Sequence, residues 1–310
     1  MLKHRFAITA ILTIALTYAC ATFRPPSLCT GVPPDTLWLQ KVHWRSRFDI
    51  VLAGCSRAVG GLSPSAMKEE LPTARIGNFA FNGQTYTPDY LEALHGPLDP
   101  NSRRKAVVMS VQPLNFFRSV HEKSGYRLCR QQNLLGQWLM LNLGEVVYSL
   151  RPFKYKDAQR LITGDRNGFY QDYHADGWVC GRLVPEDPSF QMTQYDLDSM
   201  REKVSPEIVK GFMDAVRSFR KQNTAVFVIR LPTNKTTLAQ EDASSGFDEQ
   251  SFRAQVEAAG GEWIDVPDKT YRCFDGSHLN RDSAMEVSRM VAKAIRRQAE
   301  SAQKPPRAGS

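Results

Sequence analysis

Phe48-Asp49-Ile50-Val51-Leu52-Ala53-Gly54-Cys55-Ser56-Arg57 is the stretch on which the fold turns. An uninterrupted apolar run from Ile50 to Ala53, ended by a glycine and then a serine, reads as a buried strand that stops on a tight turn. Its apolarity is continuous rather than alternating, as expected of a strand covered on both faces. Comparable runs recur at Arg75–Phe81, Lys105–Val111 and Thr224–Leu231, with a short fifth at Glu262–Val266.

Helical patterns fall between these runs, at Ser65–Glu70, Pro88–Leu94, Pro206–Lys221 and Asp248–Ala258, with Asn280–Gln298 last. Strands alternating with amphipathic helices predict an α/β protein, a three-layer α/β/α sandwich with a flavodoxin-like parallel sheet of about five strands. Polar residues at the carboxyl ends of those strands are the first place to look for chemistry. Residues 113–190 break the alternation and read as an insertion after the third strand. Within it, Asn133–Leu150 has an apolar helix pattern and Gly164–Trp178 reads as a loop rich in aromatic and polar groups.

The N-terminus is of another kind. Lys3, His4 and Arg5 precede a run from Phe6 to Phe23 that carries no charge. A basic start before an apolar stretch predicts an export signal, with Ala19-Cys20-Ala21 as a cleavage site, or a membrane anchor if the segment is kept. Either way residues 25–310 are expected beyond the membrane, in the periplasm or cell envelope. The domain plan is then a leader over 1–23, a Pro-rich linker over 24–44, one α/β domain over 45–300 and a polar, disordered tail over 301–310.

Composition narrows the function classes. In 310 residues, 42% hydrophobic and 23% charged is ordinary for a folded domain and excludes a disordered, collagen-like or multi-span membrane chain. Six Cys are too few for a small disulfide scaffold, although export permits a bond, and Cys129 with Cys180 is the first pair to consider. The formal charge of +8 is spread along the chain and makes no nucleic-acid footprint. No Gly-rich phosphate loop or zinc spacing occurs, and Asp172-Tyr173-His174-Ala175-Asp176 has no partner elsewhere, so neither cofactor nor metal is expected. Aromatics around Phe169, Tyr170, Tyr173 and Trp178 can pack the loop or stack on sugar rings.

Two segments carry nucleophilic chemistry. Ser56 stands on the turn after the first strand, where a helix start directs backbone N–H groups toward a developing oxyanion. Asp275-Gly276-Ser277-His278 follows the last strand, and an Asp three residues before a His can orient its imidazole and leave the far nitrogen as a base. Taken together they predict a Ser56–His278–Asp275 triad. Arg57 can pair with a surface carboxylate or bind an anionic substrate, and Arg230, at the end of the fourth strand, is a candidate substrate contact.

These residues resemble, in order, the blocks of the SGNH (GDSL-like) hydrolases and acyltransferases, over Ile50 to Asn280. Gly54-Cys55-Ser56 stands where that family has Gly-Asp-Ser. Asn78-Phe79-Ala80-Phe81-Asn82-Gly83 resembles the second block, and Asp275-x-x-His278 the last. The third block usually holds an Asn, but Ser110-Val111-Gln112-Pro113 stands there, with Asn115 beyond. The resemblance implies an SGNH hydrolase fold and an oxyanion hole from the N–H groups of Ser56 and Gly83 with Gln112 as a third donor, Asn115 being a further substrate contact. It implies a serine esterase or O-acyltransferase acting on an acyl ester of cell-envelope carbohydrate. The alternative is a catalytically degraded relative that binds or assembles an envelope polysaccharide.

Overall fold

The computed structural model of the chain describes residues 2–22, 27–121, 123–149, 155–190 and 202–303. Helix α1 (Leu2–Thr22) is followed by strand β1 (Cys29–Gly31) and helix α2 (Pro34–His43). Strand β2 (Ile50–Ala53) leads through a turn into α3 (Ser56–Gly61) and α4 (Pro64–Lys68), and then come β3 (Ile76–Asn78), α5 (Pro88–Ala93) and β4 (Ala106–Ser110). Helices α6 (Gly125–Arg130), α7 (Leu134–Ser149) and α8 (Tyr155–Thr163) precede a hairpin of β5 (Gly168–Tyr173) and β6 (Val179–Val184). The described chain closes with α9 (Pro206–Lys221), β7 (Ala225–Ile229), α10 (Lys235–Ser245), α11 (Glu249–Ala258), β8 (Glu262–Trp263) and α12 (Arg281–Gln303).

The main sheet has the order β3-β2-β4-β7-β8, and every neighbouring pair is parallel. In chain order that is 2-1-3-4-5, the flavodoxin-like winding, so the three-layer α/β/α expectation holds. Alternate residues serve opposite faces. Val51, Val107, Met109, Val226 and Val228 enter a core with Tyr90, Phe212, Phe219 and Phe252, while Ile50, Leu52, Val108, Phe227 and Ile229 enter a second with Ala58, Met67, Val287 and Val291. Local signals place the helices over these faces. Pro88 and Pro206 open α5 and α9, where a missing N–H costs nothing. Thr87 and Asp248 cap α5 and α11 by accepting from the N–H groups of Tyr90 and Ser251.

Three expectations need correction. The described part of 24–44 is not a linker: β1 pairs with β5, and α2 buries Leu37, Leu39 and Lys41. Prolines 33 and 34 start that helix rather than keep the chain extended. The stretch Gly164–Trp178 is not a loop throughout, since residues 168–173 form β5, the middle strand of a separate β1-β5-β6 sheet. Cys129 and Cys180 are both free thiols, as are Cys29, Cys55 and Cys273. Residues 1 and 23 of the expected leader, 24–26 of the linker and 304–310 of the tail lie outside the described residues, whereas 301–303 continue α12. Among the described residues, no helix is long and apolar enough to cross a membrane.

Candidate active site

The β2–α3 turn is built around glycine. Gly54 has φ +143°, and a Cβ there would lie 2.9 Å from that of Ala58 and 3.0 Å from the Ser110 carbonyl. Close approach of β4 therefore admits only glycine and lets the chain reverse into α3, with Ser56 as its first residue. A first helical N–H has no acceptor within its own helix, so that of Ser56 is directed outward. Cys55 is buried, and burial pushes its thiol up, which leaves Ser56 as the nucleophile of the turn.

The opposite half comes from the turn between β8 and α12. Asp275 Oδ1 accepts from the backbone N–H groups of Ser277 (3.0 Å) and His278 (2.7 Å). Its Oδ2 lies 2.7 Å from His278 Nδ1, and His278 Nε2 lies 2.8 Å from Ser56 Oγ. The carboxyl is buried. Burial pushes it up, but the bonds from His278 and the two backbone N–H groups outweigh that and hold it below the usual carboxylate range. An ionised Asp275 fixes the proton of His278 on Nδ1 and turns the Nε2 lone pair to Ser56. Phe274 covers the imidazole, ring centroids 5.8 Å apart and planes at 15°.

Ser56, His278 and Asp275 line a cleft of about 280 Å³ with Asn82, Val59, Phe169, Leu183 and Phe274 among its other walls. A larger cleft, about 930 Å³, opens at the amino ends of the strands around Asp49 and Ala106 and contains none of the three. The smaller is the chemically competent one.

Of the residues expected around the triad, Asn115, Arg57 and Arg230 are tied to other partners. Gly83 (φ +59°) and Gln112 are not among the residues lining the cleft. Gln112 is buried and its Oε1 has no hydrogen-bond partner. Asn115 is a structural tie, accepting from Gln112 N and donating to the Gln84 carbonyl. Arg57 is buried and bonds Glu241 through both terminal nitrogens and Ser277 Oγ through Nε, so it braces the Asp275–His278 turn instead of meeting substrate. Arg230 is equally buried, clamped between Asp242 and Glu249 above the Phe247 ring. Both arginines follow or end a strand of the main sheet, but the inserted carboxylates of α10 and α11 claim them first. Asn78 donates to the carbonyls of Ala58 and Leu62 and accepts from Ala80 N, a bolt between β3 and α3. Tyr173 and Trp178 are buried in packing, leaving Phe169 as the aromatic of that segment on the cleft.

Some of what matters carried no sequence signal. Asn82, neighbour of the expected Gly83, borders the cleft. Lys41 of α2 is fully buried, donates to the Ala80 carbonyl at 2.9 Å and lies 4.6 Å from the Trp38 ring centre. Burial pushes its ammonium well below the usual lysine range, and the charge of Asp176 works the other way. It holds the segment that leads to Asn82.

No family model matches the chain, and no curated protein matches it. A solved structure from Bacteroides fragilis, described as a "putative acylhydrolase", aligns over 80% of this chain and 86% of its own with 10% identity. The TM-score of that alignment is 0.35.

Proposed function

We propose that the chain is a serine esterase or O-acyltransferase acting on an acyl ester. The observation that carries the reading is the continuous hydrogen-bonded relay from Asp275 through His278 to Ser56 Oγ, with 2.7 and 2.8 Å links, at the edge of a cleft. In it Ser56 Oγ attacks the ester carbonyl while His278 Nε2 takes its proton, and Asp275 holds the imidazolium that forms. The tetrahedral oxyanion is met by the Ser56 N–H and by Asn82, each such donor being worth roughly 3–4 kcal/mol of barrier. Collapse expels the alcohol with the proton from His278, and the acyl group passes to water or to an acceptor hydroxyl by the same steps in reverse.

The further parts of the proposal rest on the N-terminus. The basic start and the exposed apolar side chains of α1, among them Phe6, Ile11 and Leu16, favour an exported protein of the periplasm or cell envelope, held to the membrane if the segment is kept. Envelope carbohydrate is then the proposed alcohol part of the ester. Gln112, standing where the third block usually holds an Asn, favours a second reading, a binding or assembly component with a weakened oxyanion site.

Hydrolysis of activated p-nitrophenyl esters by the full chain, beside Ser56→Ala and His278→Ala, separates the two. Turnover that disappears in both variants is the expected result. A folded chain with neither ester turnover nor acyl transfer to an added sugar above its variants would overturn the serine-ester reading and leave the binding one; loss of hydrolysis alone would leave the transferase.

A further inference from the structure

We infer that the acyl group is an aliphatic chain of several carbons, held by the β5–β6 hairpin, rather than an acetyl group; this rests on the serine-ester reading above. The hairpin turns one face to the cleft. Phe169 and Gln171 of β5 and Val179, Gly181 and Leu183 of β6 all border it, and residues two apart on a strand share a face. In the antiparallel register Phe169 stands opposite Leu183 and Gln171 opposite Gly181. Gln171, the polar member, has its amide oxygen bonded by Tyr173 Oη at 2.9 Å, and the other four residues of this wall carry no polar side chain. Val59 and Gly60 of α3 and the Phe274 ring supply the rest of the surface around Ser56.

Gly181 lets the two aromatic rings close against the hairpin and form a continuous apolar wall. A Cβ there would come within 2.9 Å of the Phe274 ring and 3.2 Å of Phe169. Against roughly 30 Å³ for one water molecule, a cleft of about 280 Å³ far exceeds the two carbons of an acetyl group. The charged side chain on its lining is that of Asp275, which His278 already engages, so a neutral chain is the fitting occupant. Phe169 is 44% and Phe190 36% exposed in the empty cleft, leaving apolar area that an acyl chain would cover. Each methylene so buried is worth roughly fourfold in transition-state binding.

The test is kcat/KM of the full chain on p-nitrophenyl acetate, butyrate, hexanoate and octanoate, with Leu183→Trp to fill the cleft. Leu183 lies half-exposed on a surface hairpin, so the variant is expected to fold. Expected is a rise of roughly fourfold per methylene up to a plateau, and a loss in Leu183→Trp at least tenfold greater for octanoate than for acetate. A series that is flat or best at acetate, or a variant that loses all esters equally, would overturn the inference. Calorimetry of octanamide and acetamide with Ser56→Ala keeps the two readings apart. Preference for octanamide without esterase or acyl-transfer activity in the parent chain would sink the serine-ester reading and keep the pocket. No preference would sink the pocket, whatever the activity.

Discussion

The protein has two sheets, and they are built on different terms. The five-stranded parallel sheet uses short, mainly apolar strands, and β2 and β4 are buried at every position. The β1-β5-β6 sheet joins Cys29–Gly31 to a hairpin some 140 residues later, and its strands are mostly half-exposed. Burial on both faces makes the first sheet a rigid frame that presents Ser56 and His278 at fixed separation. The second sheet gains less from burial, so its outer residues are available to line a cleft. Position of the reacting atoms and shape of the space beside them thus belong to separate parts of one chain.

Five substitutions sharpen or break that division. Ser56→Ala or His278→Ala removes a group supplied by the frame and is expected to lower kcat on the order of 10⁴–10⁶-fold with the thermal midpoint little changed. A fall of only a few-fold would mean that the relay is not the reacting centre. Next is Arg57→Met, which takes the guanidinium from the largely buried Glu241 and from Ser277. Urea titration should show a loss of about 3 kcal/mol, typical of a buried pair broken on one side, together with lower turnover as the Asp275–His278 turn loosens. A variant of unchanged stability would show that the brace is dispensable.

Gly31→Ala tests the second sheet. Gly31 has φ +79°, and an added Cβ would lie 2.1 Å from the Tyr173 carbonyl. A cost of about 2 kcal/mol is expected, with faster amide exchange in β1 and β5 while β2 and β4 keep their protection. Equal loosening of both sheets would contradict their independence. The smallest effect belongs to Asp49→Asn at the amino end of β2. Burial raises the Asp49 carboxyl, but bonds from Arg75 outweigh this and lower it to about 2. A depressed carboxylate adds stability that is present above the unfolded value near 4 and is lost as the pH falls through about 2. Because Arg75 is half-exposed, the variant should cost about 1 kcal/mol at pH 7, a difference that closes in acid unfolding between pH 4 and 2.

How much was legible follows from range. Strands such as Ala106–Ser110 and Ala225–Ile229 announce themselves because a stretch covered on both faces is drawn mainly from apolar residues. Asp275 and His278 are three residues apart, and one turn suffices to pair them. By contrast, β1 is three residues long and its partner β5 reads as a loop, because a half-exposed strand with Gln171 and Asp172 has no clean period. Lys41 sits in a stretch whose prolines point to a linker, and nothing local says that its ammonium meets the Ala80 carbonyl.

The sequence by itself therefore determined the parallel, doubly covered character of the main sheet, the serine turn and the Asp275–His278 pair, since each depends on neighbours a few residues away or on a pattern of complete burial. Only the tertiary structure decided that Ser56 and His278, 222 residues apart, lie within a hydrogen bond. It also decided that Arg57 and Arg230 spend their charge on Glu241, Asp242 and Glu249, and that Asn82 borders the cleft. The physical reason is the same in each case. A buried charge or hydrogen-bonding group takes whichever partner packing brings within about 3 Å, and packing is a property of the whole chain.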